Sequence, residues 1–136
     1  MPLSLARRVR FRAELWLAAR LLPFQLAGKS FEDVLAVVPS RPNRLYSGLP
    51  ADYISRAVRK ATRNPILMRD RKCLRQGLLA FGYMAQAGLK PELRFGIKPD
   101  SLNAPVLAAH CWVCIDNVPV LSDKDPDMVT IHVHRV

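Results

Sequence analysis

A chain of 136 residues is long enough to bury one core and short for two domains. Half of its residues are hydrophobic, which excludes a disordered tail, and no run approaches the roughly 18 consecutive apolar residues of a membrane-spanning helix. The formal charge of +10, from 21 Lys and Arg against 11 Asp and Glu, favours an anionic partner: nucleic acid, an acidic membrane face, or an acidic peptide or protein.

Residues 4 to 22 read as a basic amphipathic helix, with Leu5, Val9, Leu15, Leu21 and Leu22 near helical spacing. That stripe either docks a partner or an acidic lipid layer, or it lies on the core with the arginines in water; the second is the simpler reading. Glu14 and Arg20 interrupt the apolar stretch and no small-x-small cleavage site follows, which argues against a secretory signal. Ser30 followed by Asp33 has the form of a capping box and opens a second short helix, closed by Pro39. Residues 39 to 50, PSRPNRLYSGLP, are the clearest loop in the chain. A third helix fits 51 to 63, with Ile54, Val58 and Ala61 on one face, ending before Pro65. A fourth runs from about 71 to 87, because Leu74, Leu78, Phe81 and Ala85 repeat at helical spacing and Gly88 sits where a left-handed cap is expected.

Beyond Gly88 the period changes. Leu93, Phe95 and Ile97 alternate with Glu92, Arg94 and Gly96, which predicts a strand. Residues 107–115 and 118–123 are apolar runs split by Asp116-Asn117, two residues that tolerate positive φ and so suit a hairpin turn. A last strand over 128 to 135 is expected to bury Val129, Ile131 and Val133 and to turn Thr130, His132 and His134 the other way. Helices first and an antiparallel sheet after them make the fold class α+β.

The reactive side chains crowd into LAAHCWVCIDNVPVLSD, residues 107 to 123. Cys111-x-x-Cys114 with His132-x-His134 has a superficial zinc-site look. A zinc knuckle, however, holds its cysteines on a tight turn, and side chains three apart on a strand point to opposite faces. No metal is therefore expected. Three cysteines, an odd number, also make a poor disulfide framework, so reduced thiols in a cytoplasmic chain are the simpler reading. If Asp116 and Asn117 form the turn, an unbroken register places His110 opposite Asp123, within reach of a hydrogen bond that would orient a general base. Alone, that pair is equally an ordinary surface contact.

Cys73 adds weight to the catalytic reading. It lies near the start of the fourth predicted helix, with Asp70 as a cap and Arg69, Arg71 and Lys72 beside it. Unpaired N–H groups, the positive end of the helix dipole and neighbouring cations all stabilise a thiolate there. A thiol at a helix start with His and Asp on facing strands is the logic of a papain-like thiol enzyme. Cys111 and Cys114 have no such surroundings and read as small strand hydrophobes, Cys114 sharing a face with His110 and Trp112.

The stretch KCLRQGLLAFGYMAQAGLKPELRFGIK, followed by AAHCWVCIDNVPVLSD, resembles the transglutaminase-like cysteine proteases of lasso-peptide biosynthesis, in particular the standalone protease half of the split B protein. The pieces that carry the resemblance are Cys73-Leu74 opening a helix, Gly88 ending it, Gly96-Ile97 closing a strand, and His110 with Trp112-Val113 before a short turn. Cys111 stands where that family usually has Ala, and Asn117 where it usually has Gly. The resemblance implies a papain/transglutaminase-like fold with the catalytic Cys at a helix N-terminus, in a single domain over 1–136: a helical extension, 1–48, and a catalytic core, 49–136.

It also implies a leader peptidase, which cuts a ribosomally made precursor between leader and core through Cys73, His110 and Asp123. The freed core amine would pass to an ATP-dependent lasso cyclase, so ATP belongs to that partner and no cofactor to this chain. Nothing here has room for the small leader-recognition domain of fused versions. A separate leader-recognition protein is therefore expected, with the basic N-terminal helix as one candidate docking surface. Two other readings stay open: a related thiol acyltransferase with the same triad, and a basic module that binds nucleic acid or membrane. The scarcity of aromatics, 7%, and the spread of the basic residues ahead of an acidic last third weigh against a nucleic-acid partner.

Overall fold

The computed structural model describes residues 4–28, 30–37, 41–63, 72–97, 99, 109–121 and 128–135. Among them the order is α1 (Leu5–Leu26), α2 (Phe31–Val37), α3 (Ala51–Ala61), α4 (Lys72–Gln86), β1 (Glu92–Ile97), β2 (Ala109–Ile115), β3 (Val118–Leu121) and β4 (Val129–Arg135). The four strands form one antiparallel sheet in the order β3-β2-β1-β4. The α+β class read from the sequence is the class observed.

Most helix ends follow local chemistry. Ser4 and Ser30 cap α1 and α2 by accepting from the backbone N–H groups of Arg7 and Asp33, at 3.3 and 3.2 Å. Gly88, at φ +88°, ends α4: its own N–H donates to the Ala85 carbonyl and that of Leu89 to Met84, the paired bonds of a Schellman motif. The loop before α3 is tied down from two sides. Asn43 and Gly48 donate to the last carbonyls of α4, at Gln86 and Ala87. The Arg7 guanidinium donates to the carbonyls of Leu45 and Ser47, the latter at 2.7 Å.

α1 differs from the expectation. It runs on to Leu26 through Pro23, which has no N–H to give to the Ala19 carbonyl four residues back. The face on the core is Phe11, Leu15, Ala19 and Leu22, whereas Leu5, Val9 and Leu21 are exposed. Phe11 meets the rings of Tyr46 and Tyr83 edge-on, at 5.9 and 5.2 Å, and these contacts join α1 to α4. Burial and the nearby charge of Glu14 push the Tyr83 phenol up to about 12. α1 carries apolar residues on more than one side, so spacing could not tell the core stripe from the exposed one.

The core lies between the helices and one face of the sheet. α4 contributes Leu78, Phe81 and Met84, α3 contributes Ile54 and Val58, and the sheet contributes Leu93, Cys111, Val113 and Leu121. Burying each large aliphatic or aromatic side chain is worth about 1.5–3 kcal/mol. Close packing has a backbone cause: a Cβ added at Gly77 would lie 2.8 Å from Leu93 Cδ1 and 3.1 Å from Cys111 Sγ. Only a glycine lets α4 rest this deeply on the strands.

The β2–β3 hairpin turns at Asp116 and Asn117, both with positive φ (52° and 66°), as the sequence predicts. Its register departs from the unbroken one. Ile115 faces Val118 and Cys114 faces Pro119, but Val113 faces Leu121, so Val120 is an extra, bulged residue. α3 meets the bulge: the buried Ser55 hydroxyl donates to the Val120 carbonyl at 2.7 Å, supplying a partner outside the strand ladder. A second irregularity, between Phe95 and Gly96, leaves Ile131 unpaired on β4. As a result His134 turns toward α4, against Phe81, and His132 lies against Phe95, while Val129, Ile131 and His132 are exposed. From His132 onward this reverses the facing expected for β4, whereas Thr130, opposite Gly96, keeps it.

Ser55→Ala should cost about 1–2 kcal/mol in urea unfolding, since it leaves a strand carbonyl without its donor. An unchanged midpoint would mean that the bulge does not need α3.

Candidate active site

Of the three residues predicted to carry the chemistry, Cys73 and His110 lie among the described residues. Cys73 is the second residue of α4 and so lies in the first helical turn, where N–H groups have no intrahelical acceptor. Arg75, two residues on, is buried and adds a cation near that turn. The turn is held from the side by Gln76, whose amide donates to Thr62 Oγ1 at 2.8 Å. Thr62 is fully buried at the end of α3 and donates in turn to the Val58 carbonyl. The chain from Val58 through Thr62 to Gln76 therefore fixes the start of α4 against the end of α3. Asp70 and the basic residues at 69 and 71 lie outside the described residues.

His110 is the second residue of β2. Its level relative to Cys73 follows from two contacts along α4. Gly77 sits against Cys111, and Phe81 packs on His134, which is paired through Leu93 with Val113. α4 therefore runs in the same sense as β2. Four helical residues span roughly 6 Å and about two strand residues span the same length. Counting back from Gly77 puts Cys73 at the level of Ala109 and His110, at the open end of the hairpin.

Level is shared; face is not. Cys111 and Val113 point into the core under α4, whereas Trp112 and Cys114 form a second cluster with Met128 on the opposite side of the sheet. The His110 ring is half-buried and stacks on Trp112 at 6.1 Å, so it belongs to that second side. Cys111 and Cys114 thus diverge as strand alternation requires, and Cys114 does share a face with His110 and Trp112. Trp112 is seated by a glycine: a Cβ at Gly96 would lie 2.9 Å from two of its ring carbons. Two of the positions that carried the resemblance, Gly96 and Trp112, are one packing unit.

The register argument that selected Asp123 does not hold in the form predicted. The bulge at Val120 moves the pairing by one residue, and the described part of β3 ends at Leu121. Asp123, with Asp125 and Asp127, lies outside the described residues, and Asp116 is in the turn. A bulge that meets a side chain from α3 cannot be counted from the hairpin sequence alone.

Sequence reasoning also missed which histidine faces the helix. His134 does so, on β4 against Phe81, and the Phe95/Gly96 bulge that turns it there is set by pairing with β1 and leaves no mark in the pattern of β4. Burial, followed by the charge of His132, holds His134 below the ordinary imidazole value of 6.5. The far end of the sheet is pinned by charge. Arg94 donates to Glu92 Oε1 and Asn117 Oδ1, each at 2.7 Å, and Arg135 pairs with the other Glu92 oxygen. The Arg94 hydrogen bond is the main cause that holds the Glu92 carboxyl below its usual range. This network lies beside the hairpin turn, away from His110.

Because His134 binds its proton less readily when folded, the unfolded chain takes up the proton first as pH falls below 6.5. Stability should therefore decline from pH 7.5 to 5.5, and His134→Gln should flatten that decline in urea midpoints. An identical slope in the variant would remove His134 as its source.

Residues 9–133 match a family model described as the transglutaminase-like superfamily. No curated protein and no solved structure matches the chain.

Proposed function

The chain belongs to the transglutaminase-like superfamily, and from that premise we propose that it is a cysteine peptidase that removes the leader from a ribosomally made lasso-peptide precursor. The observation that carries the thiol chemistry is the position of Cys73 in the first turn of α4, at the level of His110. Free N–H groups and the helix dipole there favour a thiolate. Finer specificity, for a leader, is supported by the ordered set Cys73-Leu74, Gly88, Gly96-Ile97 and His110 with Trp112-Val113. Three of these have structural counterparts: the helix start, the Schellman cap and the Gly96–Trp112 seat.

In this mechanism His110 takes the Cys73 thiol proton and the sulfur attacks the scissile carbonyl. The Cys73 backbone N–H supplies one donor to the developing oxyanion. Collapse breaks the C–N bond, His110 protonates the departing core amine, and the leader remains as a thioester on Cys73. Water, deprotonated by the same imidazole, then releases the leader carboxylate and regenerates the thiol. Asp123 is proposed as the group that orients His110. The open end of the sheet is where the imidazole would have to meet the sulfur, by turning past the first residue of β2.

We take the whole chain as one catalytic unit, because α1 places Phe11, Leu15, Ala19 and Leu22 in the same core as α4 and β2. A separate leader-recognition protein and an ATP-dependent cyclase are its proposed partners, and the cytoplasm its proposed location. Among the described residues no helix is long and apolar enough to cross a membrane.

Mixing the protein with precursor and leader-binding protein and following mass should show cleavage that Cys73→Ala reduces by about a thousandfold or more. Persistent cleavage would end the assignment, and an amine-capped leader in place of the free acid would make the enzyme an acyltransferase. His110→Ala should match the cysteine variant; loss with His132→Ala and retention with His110→Ala would move the base to β4. Cys111 and Cys114 are 3% and 1% exposed, so alkylation of the folded protein should report Cys73 and should continue below neutral pH.

A further inference from the structure

The strongest unassigned feature is a cleft of about 690 Å³ between α1 and α3. Arg8 and Arg12 line it from α1; Arg56, Arg59, Lys60 and Arg63 line it from α3 and the residues just after it. Six cations face one carboxylate, Asp52, and that carboxylate is already engaged by Arg56 at 3.6 Å. Among the described residues Arg8, Arg59, Lys60 and Arg63 have no acidic partner. A stack of like charges in a concave site is destabilising unless an anion or counter-ions fill it. The +10 charge of the chain therefore has a local focus.

The cleft also has a direction. It follows α3 from Pro50 to Arg63, and Arg63 is next to Thr62, which accepts from Gln76 in the opening turns of α4. The Arg63 end of the cationic cleft is thus the end nearer the opening turns of α4, the helix that carries Cys73. We propose that this cleft binds an acidic stretch of the peptide substrate and delivers the adjoining peptide bond to Cys73. The proposal rests on the peptidase reading above.

Two features favour a peptide over the other polyanions. The cleft offers one aromatic ring, Tyr53, and Arg12 already covers it, with its guanidinium 5.9 Å from the ring centroid, so it lacks the repeated stacking platform that single-stranded nucleic acid uses. The cations also line two walls of a recess rather than a flat face, which suits carboxylates on an extended chain better than a lipid surface. Guanidinium forks match carboxylates with paired hydrogen bonds.

The test uses the full-length chain carrying Cys73→Ser, so that binding is read without turnover. The probes are a fluorescent peptide of alternating Glu and Gly, its Gln-for-Glu counterpart, a single-stranded oligonucleotide, and vesicles rich in phosphatidylserine. The Glu peptide should bind at least about tenfold more tightly than the Gln peptide and weaken with salt. Arg59→Gln/Lys60→Gln/Arg63→Gln should abolish that preference, and Arg8→Gln, on the other wall, should reduce it independently. All four positions are exposed, so the variants should keep the wild-type circular dichroism.

Equal binding of the Glu and Gln peptides, or an unchanged preference in both variants, overturns the proposal. Tighter binding of the oligonucleotide or the vesicles, lost in the same variants, overturns it in favour of that partner. Acidic-peptide binding that persists while wild-type Cys73 cleaves nothing would leave the cleft standing and remove the peptidase reading. Cleavage indifferent to the cleft variants would do the reverse.

Discussion

The structure depends on how closely α4 can approach the sheet. Gly77 sets that distance: a methyl group in its place would press on Leu93 and Cys111, both within the buried core. With the helix at this depth, Leu78, Phe81 and Met84 are removed from water against the strands and against α3. Lifting α4 would open a gap along all of these contacts, and side chains facing a gap lose their dispersion partners. The same contact fixes the path of the helix along β2, and through that path its first turn arrives over the open end of the hairpin. Packing in the middle of the helix thereby decides where its first turn, with Cys73, is presented.

The sheet has two unlike faces. Under α4 it is continuous with the main core, whereas Trp112, Cys114 and Met128 make a smaller cluster on the other side. His110 stacks on that smaller cluster. A thiol on the helix and an imidazole on the far face can meet only around an end of the strand, and α4 places Cys73 at that end. The opposite end is riveted by Glu92, Arg94, Arg135 and Asn117. Rigidity thus sits beside the turn, and the candidate chemistry sits at the end where the hairpin opens.

Helix α1 joins two roles that its sequence mixes. Its core side reaches α3 and α4 through Phe11, Leu15, Ala19 and Leu22, and Arg7 anchors the loop that precedes α3. Its outer side leaves Trp16 under the Arg20 guanidinium, 3.9 Å from the ring centroid, so part of the exposed apolar surface is covered by charge. Arg8 and Arg12 lie on the border between these sides, facing α3. That border is the cationic cleft. It exists because two basic helices pack through their apolar faces and leave their arginines along the seam.

Features set by short-range chemistry were legible in the chain. Ser30 announces a helix start, Gly88 a helix end and Asp116-Asn117 a turn, because each depends on one residue's φ or one side-chain acceptor. The alternation of Cys111 and Cys114 and the placement of Cys73 at a helix start were legible for the same reason. Registers and faces were not. The bulge at Val120 is met by Ser55, sixty-five residues earlier, and the facing of His132 and His134 follows from a bulge at β4's pairing with β1. The core stripe of α1 was settled by Tyr46 and Tyr83, far along the chain. The sequence by itself determined the type and order of the elements and several of their caps and turns; only the tertiary structure decided which side of each element meets which neighbour, because that choice is made by contacts between residues the chain keeps far apart.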